Sequence, residues 1–276
     1  PSNRHVFGTN RLPDQSKRMI TEDLPVQLAL AVVALISNGL SAFAGGGAGL
    51  VQLPALILLG LDFSTALATH KVASVALGVG AAGRHWRASS LDRRLSALVL
   101  CAGLPGVVIG ANLVLAIPDN TATICLAFLT LGLGLYSSRR PRLGNDEHRR
   151  AVTGTTLWVG AFGLFTIGII NGSLTSGTGL FVTLWLVRWF GLSYTRAVAH
   201  TLILVGLGWN GVGALTLGLK GDIHWQWLPA LIVGSLIGGY IGAHWSIKQG
   251  DKVVKQAFEI LALIMGFSLL ARGLLI

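Results

Sequence analysis

Acidic side chains are scarce in this chain. It carries 11 aspartates and glutamates against 21 lysines and arginines, and only 12% of its residues are charged, about half the share of an ordinary soluble domain (roughly 25%). A soluble fold is therefore excluded. Cysteine is nearly absent too, and Cys101 and Cys125 both fall inside apolar runs, which argues against a disulfide framework or a thiolate metal site. There is no GxxxxGK[ST], no HExxH and no CxxC, and no pair of carboxylates lies within the apolar runs to act as acid and base. The chain is accordingly expected not to be an enzyme, to hold no cofactor or metal, and to draw any transport energy from a gradient or a separate partner.

What fills the chain instead is hydrocarbon and glycine. Hydrophobic residues make up 52%, the mean hydropathy is +0.67, and apolar runs of about 18–25 residues, the length of a bilayer core, recur throughout. An all-α polytopic membrane protein follows. Full spans are expected near Leu24–Ala44, Ser64–Gly83, Leu95–Ile117, Thr121–Ser138, Val152–Ile170, Thr195–Leu219, Trp225–Ile247 and Gln256–Ile276. Leu50–Gly60 and Gly179–Gly191 are too short to cross, and each follows a glycine-rich break, so they read as half-helices or re-entrant segments. Trp158, Trp225, Trp227 and Trp245 sit near span ends, as an interfacial aromatic belt does.

The net charge of +10 does not point to nucleic acid. Thirteen of the 21 basic residues cluster in Arg4–Arg18, Arg84–Arg94 and Arg139–Arg150, the pattern of cytoplasmic loops under the positive-inside rule. The N-terminus stays polar to Asp23 with no apolar core of its own, so no cleavable signal peptide is expected ahead of the first span. These readings give a multi-pass protein of the cell inner membrane with a cytoplasmic N-terminus; its partners would be the lipid bilayer and, compatibly with such a chain, a second copy of itself.

Two halves resemble each other. "GLDFSTALATH" from Gly60 matches "GLSYTRAVAHT" from Gly191, "GAGL" from Gly47 matches "GTGL" from Gly177, Asn38-Gly39 parallels Asn171-Gly172, and "GVVIGA" from Gly106 parallels "GGYIGA" from Gly238. The chain divides into a polar tail (1–23), a first membrane repeat (24–138), a basic cytoplasmic linker (139–151) and a second repeat (152–276), each repeat with about four spans plus one short broken helix. Four crossings per half would make the repeats parallel and put both termini on the linker side. Lys248, Lys252 and Lys255 resist that arrangement by falling outside; an odd number of crossings would invert the repeats.

The glycine breaks at Gly45, Gly46, Gly47 and Gly49 and at Gly177 and Gly179 have a physical reading. Broken backbone at membrane depth must be buried or line a cavity, and the first amides of the helix that follows, lacking intrahelical partners, favour an anion. Thr178 lies at the second break. Gly106, Gly110, Gly234, Gly238 and Gly242, at four-residue spacing, read as helix packing instead. Polar residues near the breaks complete the candidate set: Thr69, His70 and Lys71 in the first half, His200 and Thr201 in the second, with Asn38 and Asn171 just upstream. A lysine there needs a cavity or a partner. His70 and His200, with an ordinary pKa of about 6.5, are candidates to couple protons to anion movement. Glu259 has Lys255 one turn before it and reads as an ion pair.

These motifs resemble the TauE/SafE family of membrane permeases, often described as sulfite exporters. The resemblance covers Leu24 to Ile276 and rests on the asparagine-glycine span, "GGGAGLVQLPAL" and "GLDFSTALATHK". It implies a two-repeat fold and transport of sulfite, sulfonates or related sulfur-containing anions. Its motif falls on Gly45, Gly46, Gly47, Gly49 and Pro54, and on Ala66, Thr69 and Lys71; the second half departs at Leu184 and has no basic counterpart of Lys71. The expected function is thus a secondary transporter of a small inorganic or organosulfur anion, with protons as a possible coupling ion. An anion-selective channel and a non-transporting assembly subunit are the alternatives.

Overall fold

In the computed structural model, described for residues 14–85, 91–113, 119–141, 143, 147–175, 177–220 and 223–275, every regular element is helical. The tail to residue 13 and much of the 84–94 loop and the linker, including Ser89 and Asn145, lie outside the described residues. The first half holds α1 (Asp14–Ala44), α2 (Ala48–Leu58), α3 (Phe63–His85), α4 (Arg93–Leu113) and α5 (Asp119–Ser138). The second holds α6 (Gly154–Ser173), α7 (Thr178–Phe190), α8 (Tyr194–His200), a π-helical stretch (Thr201–Trp209) that runs into α9 (Asn210–Gly218), and α10 (Leu228–Leu275). Gly250, at φ 76° and ψ 179°, splits α10 into 228–249 and 251–275. Among the described residues five helices are long and apolar enough to cross a membrane, Leu24–Ala44 among them, while Ala48–Leu58 and Thr178–Phe190 are short apolar helices as expected.

Contacts at the helix ends sort the molecule into two faces. On one, the linker meets the end of α7 (His148 N to Gly191 O, 2.9 Å), Asp92 meets His200, Thr195 N donates to Asp251 Oδ1 at 2.7 Å, and Arg84 bonds His244. On the other, Gln27 donates to Gln226 O at 2.9 Å, Lys220 bonds Asn112, and Val26, Ile57, Phe63, Ile223 and Trp227 pack together. α1 thus starts, and α2 ends, at the face opposite the linker; α6 starts, and α7 ends, at the linker face. Each pair is a hairpin that dips into the protein and returns. The two dip from opposite faces.

Three helices in each half run from face to face: α3, α4 and α5, then α8–α9, 228–249 and 251–275. The parallel arrangement is therefore corrected to an inverted one, with the start of α1 and the end of α10 away from the linker. The physical reason is that α1 leads into α2 rather than leaving the membrane, so the hairpin counts as no crossing. Lys248, Lys252 and Lys255 come to the linker face, which removes the anomaly in the charge pattern.

Glycine lets the helices of opposite halves interlock. α1 packs along 228–249, where a Cβ on Gly238 would lie 2.9 Å from Gly39 N, and α6 packs along α4, where one on Gly110 would lie 2.8 Å from the Ile169 carbonyl carbon. Gly106, Gly234 and Gly242 meet facing backbone in the same way, so the packing reading of these five holds.

Candidate functional site

The two hairpins meet tip to tip. Gly45, Gly46 and Gly47 take φ of 89°, 144° and 101°, Gly177 takes 75°, and this left-handed backbone is open to glycine without steric cost. Gly46 lies directly on Gly179, whose own Cβ would come within 2.8 Å of the Gly46 Cα. Thr183 Oγ1 ties the tips by donating to Gly45 O at 2.6 Å, and it contacts Thr201 Oγ1 at 2.9 Å. Thr175, at φ 57°, is the one non-glycine residue with positive φ among those described. A β-branched residue there is strained, and it is held by its hydroxyl on Asn171 O at 2.8 Å.

Between the tips lies a cavity of about 40 Å³, room for roughly two or three waters or one small oxyanion. Gly46 to Gly49 and Ser41 line it from the first hairpin, Asn171, Thr175, Thr178 and Gly179 from the second, His70 and Ser74 from α3, and Thr201 and Asn210 from the π-containing span. Neither α2 nor α7 has a side-chain N-cap, so each turns its N-terminus and positive dipole end to this space; in the first turns Leu50 N donates to Gly47 O (3.0 Å), Thr178 N to Thr175 O (3.3 Å) and Leu180 N to Gly177 O (2.9 Å). Asn210, 7% exposed, finds no partner for Oδ1 among the described residues.

Of the residues singled out in the sequence, Gly46, Gly47, Gly49, His70, Asn171, Thr178, Gly179 and Thr201 come together at the cavity. Gly45 and Gly177 shape the tips beside it. Asn38 stands one layer behind, donating to Ser235 Oγ (2.9 Å) and Gln52 Oε1 (3.1 Å). Gln52 Oε1 also contacts His70 Nδ1 at 3.0 Å, and His70 Nε2 contacts Ser74 Oγ at 3.2 Å. Because Gln52 Oε1 can only accept, His70 carries its proton on Nδ1 and turns an accepting Nε2 toward Ser74 and the cavity.

Three expected site residues lie elsewhere. Thr69 accepts from His224 N at 3.0 Å and braces the face opposite the linker. Lys71, fully buried, does not line the cavity; its Nζ donates to Asn171 O (2.9 Å) and Oδ1 (3.3 Å). The negative end of α6 and the Asn171 carboxamide hold the ammonium, and no carboxylate of the described residues lies within 4.0 Å of it. Asn171 Nδ2 then donates to Thr178 Oγ1 at 2.8 Å, so Lys71 sets the cavity wall from behind. His200 uses both ring nitrogens structurally, Nδ1 on Arg196 O (2.8 Å) and Nε2 on Asp92 N (3.1 Å), beneath the linker.

The sulfite exporter TauE/SafE family matches residues 30–269, which takes in both hairpins and every face-to-face helix. The chain belongs to that family. It is 29% identical over 247 residues to the probable membrane transporter protein ORF9 of Sinorhizobium sp, covering 88% of this chain and 91% of that one. It is 27% identical over 241 residues to the probable membrane transporter protein YfcA of Escherichia coli K12 (87% and 88%), and 25% identical over 251 residues to the probable membrane transporter protein YdhB of Bacillus subtilis (88% and 99%). This TauE/SafE protein is a multi-pass membrane transporter.

Several residues of its site escaped the sequence reading. Ser41, Thr175, Thr183, Asn210 and the Gln52–Ser235 layer are all buried polar groups. Gln52 and Asn210 stand alone in apolar helices, a readable signal; the strain at Thr175 leaves no trace in sequence. Asp62 caps the start of α3 outside the membrane span, its Oδ2 accepting Thr65 N at 3.0 Å, and this backbone hydrogen bond holds its carboxyl below the ordinary range. Glu259 pairs with Lys255 as expected, and also accepts from Ser137 Oγ at 2.8 Å.

Proposed function

We propose that this transporter carries a small sulfur oxyanion, sulfite or a sulfonate, bound between the hairpin tips and exposed to one face at a time. One observation carries the reading: two uncapped helix N-termini, entering from opposite faces, converge on one small polar cavity. Backbone amides at the tips are fixed dipoles that can donate to anionic oxygens without the desolvation penalty of a buried charge; the Thr178 and Ser74 hydroxyls, which donate to Thr175 O (2.8 Å) and His70 Nε2 (3.2 Å) in this structure, join them by turning to the anion. Opposed hairpins about a shared site suit alternating access, in which either tip withdraws in turn. His70, with Nε2 toward the cavity, is the candidate to take up a proton with the anion.

The basic linker face is read as cytoplasmic. Arg84, Arg93, Arg94, Arg139, Arg140, Arg149, Arg150, Arg188, Lys248 and Lys252 fall on it, against Lys220, Arg272 and the head of α1 on the other. The N-terminus, first expected in the cytoplasm, then faces outward.

The test is sulfite flux in proteoliposomes. Saturable uptake driven by a pH gradient, lost on His70→Gln with binding retained, supports a coupled transporter. Flux that does not saturate makes the protein a channel, and no binding or flux makes it an assembly subunit. Thr178→Val should weaken sulfite binding on the order of tenfold by removing one hydrogen bond to a charged ligand; unchanged binding would move the site elsewhere.

A further inference from the structure

A second convergence of cationic groups lies beneath the linker, and the transport reading does not use it. Residues 147–150 form a strap across the end of α7, with His148 N on Gly191 O (2.9 Å) and Arg150 N on Phe190 O (3.0 Å). Under the strap is a cavity of about 20 Å³ bordered by Asp92, Arg149, Arg196 and His200. Glu147 lies between two guanidinium groups: it pairs with Arg149 of its own strap, and Arg196 Nε of α8 is 3.5 Å from its Oε1. Arg149 also reaches Asp92 Oδ2 at 3.8 Å.

Resting on the anion reading of the central cavity, we propose that Arg149 and Arg196 form an entry site for the same oxyanion, and that Glu147 occupies it while the strap is closed. A guanidinium fork binds carboxylate, sulfite and sulfonate through the same paired N–H···O geometry, so an arriving oxyanion competes directly with Glu147. These ion pairs are partly exposed, with side-chain exposures of 42% for Arg149, 26% for Arg196 and 28% for Glu147, and exposed pairs are weak enough to exchange. Displacing Glu147 removes its own tie between strap and α8, while the two backbone hydrogen bonds, the Arg149–Asp92 pair and Arg150 over the Trp189 ring still hold the strap. His200 borders this cavity and the next residue along the chain, Thr201, borders the central one.

Calorimetric titration of the full chain in detergent with sodium sulfite tests this. Asn210→Leu, which puts a larger apolar side chain into a central cavity of about 40 Å³ and alters none of the strap residues, should remove the central binding event and leave one other. Adding Glu147→Gln, which keeps the shape and removes the competing charge, should tighten that remaining event about five-fold, the scale of one exposed ion pair. Adding Arg196→Gln or Arg149→Gln instead should abolish it, with Arg196→Lys restoring part. Equal or weaker affinity with Glu147→Gln, or no event left after Asn210→Leu, overturns the entry site. If Asn210→Leu leaves two events, the central reading fails instead.

Discussion

The two hairpins are built on one plan and equipped differently. Both break at left-handed glycines, both carry an asparagine in the helix that enters, and both start their short helix without a side-chain cap. The first lends the cavity mainly backbone, through Gly46 to Gly49, and keeps Asn38 and Gln52 one layer back, where they link Ser235 to the cavity-lining His70. The second brings side chains to the cavity itself, Asn171, Thr175 and Thr178, and is anchored by the buried charge of Lys71 from the other half. Their exit helices differ as well: α3 is regular, whereas its counterpart is π-helical from Thr201 to Trp209, a device common at functional sites and hinges. A repeated scaffold need not give a symmetric site.

The comparison breaks most severely at Gly46. Its Cβ would run into the Gly179 and Leu180 backbone, so Gly46→Val is expected to separate the tips and lower the amount of folded protein by size-exclusion, as well as flux. Gly47→Ala meets only side chains at 3.4 Å or more but must hold φ at 101°; it should lose about 1–2 kcal/mol of stability with the protein still assembled. Equal behaviour of the two variants would deny the direct tip contact.

Lys71→Met comes next. It removes a charged donor from Asn171 O and Oδ1, worth about 1.5–3 kcal/mol, and should weaken sulfite binding by roughly the corresponding 10- to 100-fold through a misplaced Asn171. Lys71→Arg should do no better: Gly213 approaches so closely that even a Cβ there would lie 2.9–3.0 Å from Lys71, leaving no space for a guanidinium. Gln52→Leu, the matching change behind the first hairpin, should cost about 1–3 kcal/mol by leaving His70 Nδ1 without its acceptor, while Asn38 keeps Ala34 O and Ser235 Oγ, and should alter proton coupling more than anion affinity. If both changes acted alike on affinity and coupling, the division of labour between the halves would be lost.

The smallest effect is at Asp62. Its folded pKa lies below the ordinary value because Thr65 N–H bonds the carboxylate. The cap therefore stabilises α3 above the ordinary carboxylate pKa and loses this as pH falls through the lowered one. Asp62→Asn should leave neutral-pH flux unchanged and flatten only the acid limb of a thermal-stability profile.

Much of this was legible before any coordinates. Hydropathy and length gave the apolar helices and the two short ones, because a bilayer imposes both on any sequence, but they counted Leu24–Ala44 and Val152–Ile170 as full crossings where the structure makes them the entering arms of the hairpins. The breaks announced the tips, since clustered glycine in an apolar run has few other uses at membrane depth. Sidedness was not legible. It depends on whether α1 and α2 form one returning hairpin, and the contacts that bring the start of α1 and the end of α2 to one face join residues far apart in sequence. Lys71 and His200 lie off the cavity for a related reason: sequence spacing placed them near the break, but a helix presents successive residues at 100° to one another, so His70 faces the cavity while Lys71 faces Asn171.

A density map of the full chain saturated with sulfite tests the central claim most directly. The account predicts a pyramidal density between the hairpin tips, within hydrogen-bond distance of the first-turn amides of α2 and α7 and of Thr178, in contact with both halves at once. A tip cavity holding only water, with sulfite bound elsewhere or not at all, would contradict it.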